Sequence, residues 1–530
     1  MKIWRAALVA LAVSVMCATA AVAQTPPSMR TILTNTFAIR DLSDVNLSSD
    51  GTKLAWAEGF RDPRDLLRSP HYSAIFVQGI ARGARIHVSA GNPQRYYNEQ
   101  NPVWSPDGRR LAFLSDARSH RQSQLFTWDE TSRAVRQIGG LHGDVQTVRW
   151  SPNGTAIAVL YIPGAVRDAG ALAPGSRDVG VIGSKVEEQR LAVVDLSSGA
   201  IRFITPADTY VYQYDWSPDG RSVAVTYATG NGDNNWWIAR LARVDVATGA
   251  MRDLLKPSFQ IADPRWSPDG TRIAVIGGIM SDFISTGGDV YLVDASTGDS
   301  RNLTDGAPIS AQSLQWNDGS SLDLVAHRSG SMSLMRLNIA NAGTVSLTRL
   351  TDREESLWSW STARAGAVVA LVRASFTEPP EIWAGPPAAP RQITASNAHA
   401  KLLNGKAVSI EWPSDRFTAQ GWLIYPLHYD PHATYPMVTI VHGGPSAESV
   451  PSFGSRNTSA LSSQGYFVFM PNPRGSYGRG EAFTRANIKD FGYGDWRDIM
   501  AGVDAAIRAA PIDPNRLGLM GWSYGGYMAM

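Results

Sequence analysis

Gly521-Trp522-Ser523-Tyr524-Gly525 is the segment of this 530-residue chain with the clearest chemistry. A serine hydroxyl is a weak nucleophile at neutral pH, so a reactive one must be held exposed on a tight turn beside groups that activate it. Glycines on either side let the backbone make that turn without Cβ clashes. G-x-S-x-G also arises by accident in glycine-rich chains, and this one has 48 glycines, so context decides its weight. Residues 517–520, Leu-Gly-Leu-Met, read as a strand running into the motif, and Gly526 follows it. That strand-to-helix setting makes Ser523 the candidate nucleophile.

A second segment, His442-Gly443-Gly444-Pro445, follows the apolar run 436–441. A glycine-rich loop at a strand end can bring a backbone N–H against a developing oxyanion. Gly444 is favoured over Gly443 as one donor, and the N–H of Tyr524, the residue after the nucleophile, is the other. His442 belongs to the loop itself, and a loop-ordering hydrogen bond is expected of it rather than the role of general base.

These segments need elements to hold them. From about Lys401 onward strands alternate with helices. Residues 408–412 and 421–425 read as an opening antiparallel pair, and 436–441 and 466–470 as nearly continuous apolar strands buried on both faces of a mostly parallel sheet. Residues 495–509 read as a helix, with acids in the first turn and Ile499, Val503 and Ile507 on one face.

Upstream the chain repeats. Trp104-Ser-Pro-Asp-Gly108 recurs at 150–154 (with Asn for Asp), 216–220 and 266–270, with weaker copies ending at Gly51, Gly319 and Gly366, and the glycines are spaced 46 to 66 residues apart. Ser-Pro-Asp-Gly is turn chemistry, because Pro presets φ, Asp bonds nearby backbone and Gly accepts positive φ. A short β-rich run follows each turn, and a second hairpin closes later units, as in Leu191-Ala-Val-Val-Asp-Leu-Ser-Ser-Gly199. Two hairpins make a four-stranded blade. The fold class expected is a β-propeller of about seven four-stranded blades followed by an incomplete α/β-hydrolase domain, with the motif tryptophans packed between blades. The domains expected are 1–23, 24–400 (propeller with an N-terminal lead-in) and 401–530. The longest step contains a glycine-rich insertion, 161–189, ending near Glu187-Glu188.

Residues 1–23 read as a secretory signal: Lys2 and Arg5, an apolar stretch, and Ala21-Val22-Ala23 before a cut at Gln24. A secreted or periplasmic location is therefore expected, with no membrane attachment after cleavage. The only cysteine, Cys17, lies inside that segment, so no disulfide, thiolate chemistry or cysteine metal site is expected of the mature chain, and no metal or other cofactor is assigned. Setting aside Lys2 and Arg5 leaves bases and acids equal in number, which argues against nucleic acid as partner.

Taken together, the propeller repeat, His442-Gly-Gly-Pro445, Asn472-Pro-Arg-Gly-Ser476 and Gly521-Trp-Ser-Tyr-Gly-Gly-Tyr527 resemble the prolyl oligopeptidase family of serine peptidases, with features of its acylaminoacyl-peptidase and dipeptidyl-peptidase branches. The resemblance implies cleavage of short peptides at a site between propeller and hydrolase. It matches Ser523 to the nucleophile, Tyr524 and Gly444 to the oxyanion donors, and Arg474-Gly475 to a structural loop. Glu187 and Glu188 are weighed against the paired propeller glutamates that anchor a substrate amino terminus in dipeptidyl peptidases, and they are grouped with Tyr524 as substrate-binding candidates. One departure stands out. Hydrolases of this kind order their triad Ser, acid, His, whereas all nine histidines here precede Ser523 and none occupies the matching position. The expectation is a C-terminally truncated peptidase, inactive by itself, whose triad Asp and His are absent from these residues. The alternatives are a non-catalytic propeller binding module, similar to the Tol-system envelope propeller, with a vestigial hydrolase segment, or an esterase.

Overall fold

The computed structural model describes residues 25–530 apart from 69, 82, 93, 119–121, 166–187, 231–232, 341–344, 352 and 364–365. The expected signal segment, Glu187 and most of the insertion 161–189 lie outside the described residues. Helix α1 (Met29–Ala38) comes first, with Ser28 Oγ accepting from the Thr31 N–H at its start.

Seven four-stranded antiparallel sheets follow: blade 1 (β1–β4, 41–88), blade 2 (β5–β8, 99–137), blade 3 (β9–β12, 143–203), blade 4 (β13–β16, 209–255), blade 5 (β17–β20, 260–302), blade 6 (β21–β24, 310–349) and blade 7 (β25–β28, 356–392). Each repeated motif turns the first hairpin of its blade. In 105–108 the Ser105 hydroxyl donates to Asp107 Oδ1 (2.5 Å), the same oxygen accepts from the Arg109 N–H (3.1 Å), and Gly108 takes φ 67°. The degenerate copy at 48–51 makes the same turn through Ser48, Asp50 and Gly51. Serine, aspartate and glycine therefore suffice without the proline.

The motif tryptophans do pack between blades. Trp150 Nε1 donates to Val103 O of blade 2 (2.9 Å), Trp216 Nε1 to Arg149 O of blade 3 (3.3 Å) and Trp316 Nε1 to Arg265 O of blade 5 (3.0 Å). Apolar clusters fill the gaps between successive blades, as where Val145, Trp150 and Ile157 meet Ala112, Leu114 and Leu125. The ring closes by side chains rather than a shared strand: the Val45 and Leu47 N–H groups donate to Ser359 and Ser361 Oγ (2.9 and 3.1 Å), over a cluster joining Leu42, Val45 and Trp56 to Ala370, Val372 and Ile382.

The remaining sheet has the order β29 (Ala407–Ser414), β30 (Phe417–Ile424), β32 (Phe467–Asn472), β31 (Tyr435–Val441), β33 (Ile512–Gly521). The first two strands pair antiparallel, β30 pairs antiparallel with β32, and β32, β31 and β33 are parallel. Between them come α2 (Arg456–Ser463), α3 (Glu481–Arg485) and α4 (Gly494–Ala509), and α5 (Tyr524–Ala529) follows β33. Helix α4 lies close on the sheet because Gly502 leaves room: a Cβ there would meet Trp412 at 2.5 Å and Phe469 at 2.8 Å. Among the described residues β33 is an edge strand, and its Leu517 and Leu519 are 44 % and 38 % exposed. The lead-in helix α1 bonds to this part of the molecule, through Asn35 to Lys401 O (2.9 Å) and Thr36 to Gly454 O (3.2 Å).

Candidate active site

Ser523 sits between β33 and α5 with φ 55° and ψ −121°, a conformation that costs a non-glycine residue about 1–3 kcal/mol and that surrounding structure must enforce. The flanking glycines show how it is enforced. A Cβ on Gly521 would fall 2.1 Å from Gly525 O, and one on Gly525 would fall 2.0 Å from Val441 O. The turn is thus wedged against the end of β31, and only glycine fits at either position. The Ser523 carbonyl accepts from the Gly526 and Tyr527 N–H groups (2.8 and 3.1 Å), starting α5, while the residue itself stays exposed. Tyr524 N–H, in the first helical turn, has no backbone acceptor among the described residues.

The loop after β31 abuts this turn. A Cβ on Gly443 would lie 3.5 Å from Ser523 Cβ, and Gly444 takes φ 121°, which favours glycine. His442 orders the loop as expected. Its Nδ1 faces the Gly443 carbonyl at 2.6 Å and must donate to it, which leaves Nε2 to accept from the Ser476 hydroxyl at 3.0 Å. Burial holds this imidazole below its usual pKa and so neutral, and both ring nitrogens are engaged away from Ser523. Among the described residues no histidine hydrogen-bonds Ser523 Oγ.

Tyr524 is anchored from below. Its hydroxyl donates to Asp495 Oδ2 at the start of α4 and accepts from Asn487 Nδ2 (3.3 Å), all three side chains being buried. Burial and the adjacent carboxylate push the phenol's pKa well up. In the sequence Asp495 reads only as a helix-start acid, and nothing marks Asn487. Arg474 is structural: its guanidinium spans the fully buried Asp498 (2.7 and 2.9 Å) and Asp415 (2.8 Å). Glu188 Oε1 accepts from the Asp208 N–H (2.9 Å) in the turn before blade 4, the contact of a loop-capping carboxylate.

Residues 451–530 match the family model described as the prolyl oligopeptidase family. The chain is 29 % identical over 531 residues to the uncharacterized peptidase YuxL of Bacillus subtilis (strain 168), covering 93 % of this chain and 78 % of that one. It is 25 % identical over 246 residues to dipeptidyl-peptidase 5 of Porphyromonas gingivalis, covering 45 % of this chain and 35 % of that one. Its fold resembles that of Pyrococcus horikoshii acylaminoacyl peptidase, with a TM-score of 0.71 at 19 % identity over 93 % of this chain and 75 % of that one.

Proposed function

From the match of residues 451–530 to the prolyl oligopeptidase family model and the likeness of the whole chain to a peptidase, we infer that the chain is a serine peptidase of that family hydrolysing short peptides, in the manner of acylaminoacyl- or dipeptidyl-peptidases. The observation that carries this reading is Ser523 itself, exposed at a left-handed φ on the turn from β33 to α5 and touching the glycine loop after β31. Ser523 Oγ attacks the scissile carbonyl. The oxyanion that forms accepts from the N–H groups of Tyr524 and Gly444. The tetrahedral adduct then breaks its C–N bond, the amine-side product leaves carrying the proton taken from Ser523, and water hydrolyses the remaining acyl-enzyme to the free carboxylate and Ser523. Proton transfer from Ser523 needs a histidine oriented by a carboxylate. Among the described residues we assign neither role, because no histidine there hydrogen-bonds Ser523 and His442 has both nitrogens committed elsewhere. A polypeptide of these 530 residues alone is accordingly expected to turn over no peptide. We also propose export, with a mature amino terminus at Gln24, which sequencing of the exported protein tests.

The test is a fluorophosphonate probe on the protein produced from its native reading frame. Labelling at Ser523, lost in Ser523→Ala with the thermal melt unchanged, supports the reading. Equal labelling of the Ser523→Ala protein refutes it. Paired peptides with free or acetylated amino termini then separate dipeptidyl from acylaminoacyl preference.

A further inference from the structure

The loop that abuts Ser523 is held on its far side by the propeller. Ser446 N–H donates to Ser281 Oγ (2.6 Å) and Ser446 O accepts from Ser285 Oγ (2.5 Å), both serines lying in the 279–288 loop of blade 5. Two residues on, the side chain of Glu448 is 1 % exposed and bridges to the hairpin turn at 327–331 of blade 6: Oε2 lies 3.0 Å from His327 Nδ1, and Oε1 accepts from the Gly330 N–H at 2.5 Å. His327 is itself packed on the Tyr477 ring (centroids 5.5 Å apart), and Tyr477 donates its hydroxyl to Ser285 O at 2.6 Å. Space for the carboxylate is made by Gly478, where a Cβ would fall 2.3 Å from Glu448 Oε1.

We propose that Glu448 is a positioning residue for the 442–448 loop and that its anchor, His327 with the Gly330 N–H, is supplied by the propeller. The glycines that meet Ser523 then take their working geometry only while blades 5 and 6 are docked. Three features favour this over a plain docking contact. The pinned residues, 446 and 448, follow Gly444 within four positions. The opposite end of the same loop is fixed separately by His442 on Ser476. Gly444, between the two clamps, has no Cβ to restrict its own φ, so its conformation depends on what holds the loop at either end. Both Glu448 carboxylate oxygens are taken up by His327 and the Gly330 N–H, which is the behaviour of a group acting through its neighbours.

This inference rests on reading the loop as the oxyanion loop, so the experiment has two arms on the protein produced from its native reading frame. In the first, hydrogen exchange is followed in 442–447 and in 521–529 for wild type, Glu448→Gln and His327→Gln. Faster exchange in 442–447 with 521–529 unchanged is expected of both variants, more in Glu448→Gln. In the second, steady-state kinetics on a short peptide should show kcat reduced about 10- to 100-fold, below the effect of deleting one oxyanion donor, with KM changed less than about threefold. Wild-type exchange in 442–447 overturns the positioning role, as does an effect confined to KM. Should the wild-type protein neither label nor turn over peptide, the peptidase reading fails, and the exchange arm still decides whether Glu448 positions the loop.

Discussion

Blade-to-blade contacts in the propeller come in copies. A serine–aspartate turn, a tryptophan reaching the preceding blade and an apolar cluster in the gap recur around the ring, and even the degenerate first copy makes its turn. Around Ser523 every contact is single: one glycine against Val441 O, one carboxylate under Tyr524, one arginine over Asp498. Repetition spreads stability over many weak interactions, so losing one costs little. A single-copy site concentrates it, and each part is then close to irreplaceable.

Five substitutions sharpen that contrast. The largest effect is expected from Arg474→Met, which leaves Asp498 buried without its partner; denaturant unfolding should show a loss of about 3–5 kcal/mol. Gly525→Ala should cost about 2–3 kcal/mol through overpacking against Val441 O and abolish fluorophosphonate labelling. Its neighbour Gly526→Ala, with nothing nearer than 3.8 Å, should leave both intact, and identical behaviour of the two would break the steric account of the turn.

Next comes Glu481, at the junction with blade 5, whose pKa burial raises to about 7 from an ordinary 4.5. The folded protein holds this proton where the unfolded chain has released it, so stability from this group is full below about pH 4.5 and is lost as pH rises to about 7. Glu481→Gln should remove that leg, gaining about 1–2 kcal/mol relative to wild type at pH 8 but not at pH 4, as read from urea melts at both pH values. The smallest effect is expected within the repeat. Trp150→Phe deletes the bond to Val103 O and weakens the Arg110 contact over the indole, for about 1 kcal/mol with labelling unchanged. A Trp150→Phe protein that unfolds like Arg474→Met would show that the ring is not redundant.

The sequence by itself determined whatever is local or periodic. Ser-x-Asp-Gly and its degenerate copies form turns from residues close in the chain, so seven turn signals could be counted before any contact was known. The β33–Ser523–α5 turn was legible because two glycines and a serine at fixed spacing serve one backbone geometry, and His442 was legible as a loop residue. Asn487 and Asp495 under Tyr524, and Ser281, Ser285, His327 and Gly330 behind the 442–448 loop, were not. Ser285 and Ser446 are far apart in the chain and become partners only when the ring closes and the hydrolase sheet settles on it. Ordinary serines, a histidine and an asparagine carry no spacing signal, because their roles arise from burial and from which neighbour folding brings within 3 Å. Tertiary structure alone decided those pairings, and through them how firmly the loop facing Ser523 is held.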